Sequence, residues 1–424
     1  KIPDGEFEEL KSTIEDVYET MVNNSNTKVS EGLEKFVASG EKEAFELANK
    51  TTGPLDFVGR LVSKITEDLG SKFHNSEIDS LQYVGTRITE IGRGFGGNIR
   101  RKATGGIIRD HAYKESIIQV APQYVRLIDD YAVSKGKGSV GRMNAQQKAG
   151  ADSELVDQFN REVFTVQELR RQGKDIPASV DKSVLDFVDQ FDKYMDFNHS
   201  KLVDAGVAGF TKKRKVKNYI PHVWETHKLR AAIQTHGVDK IEELFTRAYQ
   251  SSSANGVNPT DIDSARQLAK EQVEWIMTLD QQIGKDTIDQ YSPVKDSRAK
   301  KRLDLDTTME IDGLSILDLL DTEVIGLSVK YSNRMAGWIG LAESTDGVIK
   351  SQLDIDTLKQ HVIQEGKDKG IKTDKYEQYY DDLMNLMFGR PTRGGLNQEL
   401  RQIKDLTALT RMGGLGTAQL IETG

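Results

Sequence analysis

Two histidines flank a glutamate in the stretch TKKRKVKNYIPHVWETH, residues 211–227: His222, Glu225 and His227. Imidazole and carboxylate ligands are the usual partners of zinc. The helical zinc motif sets its histidines four apart, so that both share one face and the intervening glutamate serves as general base. Here they are five apart, and Glu225 sits wrongly between them. His74, His111, His199, His236 and His361 are scattered, and the chain has no cysteine. Thiolate chemistry and cysteine-ligated metals are therefore excluded, and no metal-ligating set is expected. GRGFGG (Gly92 to Gly97) fits the dinucleotide fingerprint in its letters. That fingerprint needs a strand before it, whereas Leu81, Val84, Ile88 and Ile91 precede it at helical spacing, so it reads as a glycine loop. Asp304, Asp306 and Asp312 invite a calcium or sugar-nucleotide reading, but the glycine and terminal glutamate of an EF-hand are missing. Their alternation with apolar residues predicts the wet face of a strand. Neither a nucleophile elbow nor a Walker loop occurs. With 66 acids some carboxylate pair is always available, but none is singled out. The expectation is no catalytic residue, no cofactor and no metal.

The basic residues are the other chemical signal. Lys212, Lys213, Arg214, Lys215 and Lys217 spell a nuclear-import pattern, and Arg93, Arg100, Arg101 and Lys102 surround the glycine loop. Guanidinium and ammonium groups beside bare amides suit a phosphate backbone, so all nine are candidate DNA or phosphate contacts. The net charge of −8 is nevertheless that of an acidic chain. Residues 1–70 carry fifteen acids against eight bases, while 93–114 carry six bases and one acid. Such blocks fit an assembly component with local contacts better than a nucleic-acid coat.

What must position these residues is helical. Phe7, Leu10, Ile14, Val17, Tyr18 and Met21 recur in steps of three and four, as do Leu55, Val58, Val62, Ile65 and Leu69 behind Pro54. Similar periods predict helices near 154–172, 180–197, 238–250, 260–283, 314–330, 374–388 and 396–412. RLDLDTTMEIDGLSI breaks the pattern, alternating and then turning at Asp312-Gly313, which predicts a half-buried strand and a hairpin. Glycine- and serine-rich loops divide the chain into an acidic helical segment (1–70), a glycine-rich basic segment (71–142), a central helical domain (143–260) and a C-terminal helical domain with the hairpin (261–424). The fold expected is mainly α: an elongated multi-helix array with one short β-hairpin near 302–316.

At 29% charged and 37% hydrophobic residues the chain is globular but poor in core, and its 424 residues exceed one simple core. No apolar run is long enough to span a bilayer. A start at Lys1 and an apolar end in GTAQLIETG are expected of a piece of a longer polypeptide.

KNYIPHVWETHKLRAAIQTHGVDKIEELFTRAY resembles a segment of the large internal virion proteins, the DNA-ejection proteins of short-tailed bacteriophages of the autographivirus type. Tyr219, Pro221, His222 and Val223 fall on that family's Tyr-Val-Pro-His-Val segment, and Gly237 on the glycine break of its helices. The hairpin at Asp312-Gly313 with Asp318, MAGWIGLAESTDG (335–347) and LNQELRQIKDLTALTRMGGLGTAQLIETG follow in the same order, so the likeness covers about 77–424. The resemblance implies a structural protein that is packed in the capsid core. It would then leave the virion and reassemble in the host periplasm and inner membrane as a conduit for the genome. The implied partners are copies of itself, other internal virion and ejection proteins, portal or core proteins, phage DNA and the host inner membrane. Founding members also carry an N-terminal lytic transglycosylase, and no such stretch is recognisable here, so this region is expected not to be an enzyme. The alternative is the flank of a virion-carried enzyme, a peptidoglycan transglycosylase or a virion RNA polymerase. Pro221 holds Ile220 out of helical geometry, so the Tyr219–Val223 segment is expected to act as a fixed joint.

Overall fold

In the computed structural model, residues 4–38, 73, 76–89, 103–136, 153–214, 217–251, 262–278 and 305–390 are described. The fold is mainly α with two small antiparallel strand pairs, as the helical periods require. In chain order come α1 (Asp4–Ala38), α2 (Asp79–Ile88), α3 (Gly105–Ile117), α4 (Ala121–Ser134), α5 (Ser153–Gln172) and α6 (Lys182–Asp204). Then follow β1 (Val223–Trp224), α7 (Thr226–His236), α8 (Val238–Ser251), α9 (Ile262–Thr278), β2 (Glu310–Ile311), β3 (Leu314–Ser315), β4 (Leu320–Asp321), α10 (Val324–Ser344), α11 (Gln352–Asp368) and α12 (Asp374–Met387). The periodic stretches at 55–69 and 396–412 and the GRGFGG loop lie outside the described residues.

The described residues fall into two compact units, each assembled from separate segments: those up to 113 with 201–210 and 333–390, and those of 114–200 with those of 211–332. The first unit has an apolar core built on α10, α11, α12, α2 and the second half of α1, with Trp338, Leu341, Leu358, Tyr380, Val84 and Phe36 buried in it. Close helix approach makes this core. A Cβ on Gly337 would stand 2.5 Å from the Met387 carbonyl oxygen, and one on Gly340 would stand 2.6 Å from that of Gly105. Helix ends are satisfied by tertiary partners. Ile78 offers no capping side chain to α2, and the Glu365 carboxylate of α11 accepts instead from the amides of Asp79 and Ser80. An anion at that end also meets the positive pole of the helix.

The second unit stacks aromatic rings between α4, α5 and α6. Tyr124, Tyr131 and Phe187 meet Phe159 with centroids 5.2–5.9 Å apart. Edge-on pairs of this kind add about 1 kcal/mol beyond burial. Helices α8 and α9 pack together, and Leu244, Phe245, Ala265, Ala269 and Val273 on them are buried.

Three expectations require correction here. The hairpin turns at Asp312 (φ 49°) and Gly313 (φ 78°), as the Asp-Gly pair demands, but its strands are only β2 and β3. Leu305, Asp306 and Thr307 are consecutive buried residues, so Asp306 is not on a wet strand face; Asp312 is exposed, and Asp304 lies outside the described residues. The helix expected over 314–330 begins at Val324, because Ser315 and Asp318 close a capping box on a short 3-10 turn before it. A second strand pair was also missed: Val223 opposes Asp321 and Trp224 opposes Leu320. Two-residue strands carry no alternation for a sequence to display.

Candidate functional site

Lys212, Lys213 and Arg214 form a short 3-10 turn between α6 and β1; the side chains of Lys212, Lys213 and Lys217 are exposed. Lys215, Arg93, Arg100, Arg101 and Lys102 lie outside the described residues. Of the nine candidate phosphate contacts, the structure therefore describes Lys212, Lys213, Arg214 and Lys217, which are near neighbours in the chain.

Beneath this turn the chain is clamped. After Asn218, in the left-handed region at φ 52°, the backbone runs extended, with Ile220 and Pro221 buried, into β1. Asn218 Nδ2 donates to the Arg170 carbonyl at the end of α5. Four residues further, His222 Nε2 lies 2.8 Å from Glu168 Oε1. Glu168 is fully enclosed, and Arg171 grips its carboxylate with Nε and Nη2 while also donating to the Leu305 carbonyl. Burial pushes the Glu168 carboxyl up, but the His222 ring and the Arg171 guanidinium more than offset this and hold it down at about 2.

A second buried carboxylate, Asp306, is held by the same end of α5. Asp306 accepts from Gln172 Nε2 (3.0 Å), Lys174 Nζ (2.7 Å), Ser251 Oγ (2.7 Å), and the amide and hydroxyl of Thr308. Burial raises its carboxyl, and the bonds from Lys174, Thr308, Gln172 and Ser251 bring it down to about 2. The C-terminal turn of α5 thus ties together the 218–224 connector, the end of α8 and the 305–308 segment. Buried carboxylates with both oxygens accepting hydrogen bonds and a pKa near 2 stay ionised across the physiological range. They act as hubs for neighbouring chain rather than as proton-transfer groups.

His222 faces Glu168, whereas His227 is exposed and its Nε2 is 3.9 Å from Glu225 Oε2. Among the described residues no three His, Asp or Glu side chains group as metal ligands. The residues that sequence reasoning missed are Glu168 and Arg171; Asp306 it placed on the wet face of a strand. Glu168 and Arg171 sit three apart on an amphipathic helix, indistinguishable by type from solvent-facing pairs. No family model, no curated protein and no solved structure matches this chain.

Proposed function

We propose that this chain is a structural component of a short-tailed phage DNA-ejection apparatus, carried in the virion core and reassembled in the host envelope as part of a genome conduit. The carrying observation is the pairing of two stretches in which the family resemblance resides. Val223 and Trp224, at the end of the Tyr-Ile-Pro-His-Val segment, form a ladder with Leu320 and Asp321, just beyond the hairpin and Asp318. Residues that resemble the family in two distant places thus belong to one tertiary feature, and His222 within it is committed to the Glu168 clamp. That favours an architectural role for the segment over a catalytic one. In this reading the exposed Lys212, Lys213 and Lys217 contact phosphate or an acidic partner, and the chain associates with itself and with other internal virion proteins.

The decisive measurement is composition of particles. Purified virions should contain this polypeptide, and particles triggered to release DNA should lose it to the host envelope fraction. Its absence from intact particles would end the proposal. Zymography on peptidoglycan separates the enzymatic alternative, since clearing by this chain would place it there. For the basic turn, replacing Lys212, Lys213 and Lys217 by glutamine should lower the salt slope of duplex binding by about 0.9 per lost phosphate contact. An unchanged slope removes these lysines from the contact.

A further inference from the structure

Helix α1 changes partners along its length. From Ser25 onward it packs on α11 and α2: Ser25, Val29 and Phe36 are buried, Ser25 Oγ donates to Asp354 Oδ1 at 2.8 Å, and Phe36 meets Tyr83 edge-on at 5.5 Å. One turn earlier the apolar residues face water. Val17 is 55% exposed, Tyr18 62% and Met21 45%, the densest run of exposed large apolar side chains on any one described helix.

The sequence of that half is not the usual stripe of a helix lying on a core. Phe7, Leu10, Ile14, Val17 and Met21 are spaced three, four, three and four, the a and d positions of a heptad repeat. An a/d pattern widened only by Tyr18 at e makes a narrow seam that fits one other helix at its side. The repeat stops at the next d position, which is Asn24, and the apolar register jumps by four to Ser25, Val29, Phe36. This stutter marks where one partner ends and another begins.

We infer that the N-terminal half of α1 is a parallel coiled-coil seam for a second copy of this chain. Charge selects the occupant. In a parallel pair of identical helices each g position meets the e position five residues on in the partner. Glu6 at g and Lys11 at e attract in that arrangement; the other charged e residue, Asp4, lies at the helix start with no g residue five positions before it. The acids Glu8, Glu9, Glu15, Asp16 and Glu19 take the outer b, c and f positions. An acidic helix of this kind is repelled by an anionic bilayer, which leaves a protein helix as the occupant. The seam runs about 21 Å, short for an isolated coiled coil, but α1 is already held as a helix by its second half, so less ordering entropy is lost on pairing. The inference rests on the self-association in the reading above and assigns it a surface.

The test uses the whole chain in solution. Sedimentation across a concentration series should show reversible dimerisation, and Val17→Asp with Met21→Asp should weaken it by about tenfold or more. Both positions are exposed, so far-UV circular dichroism and the melting temperature of the variant should match the parent. Because the chain has no cysteine, Met21→Cys gives a single-thiol reporter, and mild oxidation should link two chains at that position. A monomer at every concentration overturns the inference, as does a dimer indifferent to the two aspartates. A dimer that never cross-links at residue 21 overturns the parallel arrangement. None of these outcomes depends on whether the protein is found in virions.

Discussion

The two compact units solve one problem, holding helices and connectors in place with a modest apolar content, in different ways. The first relies mainly on shape. Its helices approach at glycines, Gly337 against the Met387 carbonyl and Gly340 against that of Gly105, and its carboxylates Glu365 and Asp354 sit at helix ends, Glu365 at the start of α2 and Asp354, paired with Lys28, at the start of α11. The second inserts charge. Glu168 and Asp306 are enclosed carboxylates that bind chain segments over a hundred residues apart in sequence, Arg171 to Leu305 and Gln172 to Asp306. Close packing is indifferent to protonation and intolerant of added volume. A buried ion pair tolerates neighbouring volume better but fails when either charge is lost.

That contrast can be broken in three ways. The largest effect is expected from Glu168→Gln, which leaves Arg171 and His222 facing an uncharged group in an enclosed site. Breaking one partner of such a set destabilises by about 3–5 kcal/mol. Urea unfolding followed through Trp224, which is buried in the second unit, should show the loss, and a shift under about 1 kcal/mol would mean the cluster is no better than a surface pair.

Acidification comes next. Glu168 falls from its ordinary 4.5 to about 2, so its stabilisation is fully present above pH 4.5 and is lost as pH drops toward 2, about 3 kcal/mol by linkage. Asp306, lowered from 3.8 to about 2, adds in the same direction over the same window. Asp192 and Glu323, raised first by burial, run oppositely and soften the response. The first unit has its own lowered carboxylate in Glu365, which is depressed by Lys369 and the α2 end against its burial. The expected outcome is that the Trp224 signal loses stability more steeply between pH 4.5 and 2 than the signal of Trp338, which is buried in the first unit. Single-tryptophan variants separate the two, and parallel titration curves would erase the distinction drawn here.

The smallest effect is expected from Gly337→Ala. The added Cβ meets backbone at 2.5 Å and the Phe388 ring at 2.7 Å, neither of which yields cheaply. Strain should exceed the helix-propensity gain and leave a net loss of about 1–2 kcal/mol, read by the Trp338 signal and independent of pH. A more stable variant would show that the close approach is slack.

Much of the fold was legible in the chain. Periods of three and four residues foretold α5, α8 and α12 nearly to their ends, and α6 except for its last seven residues, since each helix buries one face and a buried face must be apolar. Asp312-Gly313 foretold the hairpin turn because few residue pairs accept two consecutive positive φ values. The basic turn at 212–217 was visible as letters. Its foundation was not: Glu168 and Arg171 look like an exposed pair until a connector and residue 305 close over them. Likewise Asp306 looked like a wet strand residue, because a buried carboxylate is recognisable only by donors that arrive from Lys174, Gln172 and Ser251.

The sequence by itself determined helical class, the hairpin turn, the absence of cysteine chemistry and the heptad spacing in α1. All of these follow from local geometry or from composition. The tertiary structure alone decided that the units are assembled from interleaved segments, that β1 finds β4 nearly a hundred residues away, and which of many charged residues are enclosed. Those outcomes depend on which distant surfaces meet, and burial, which sets the energy of a charge, belongs to the meeting and not to the residue.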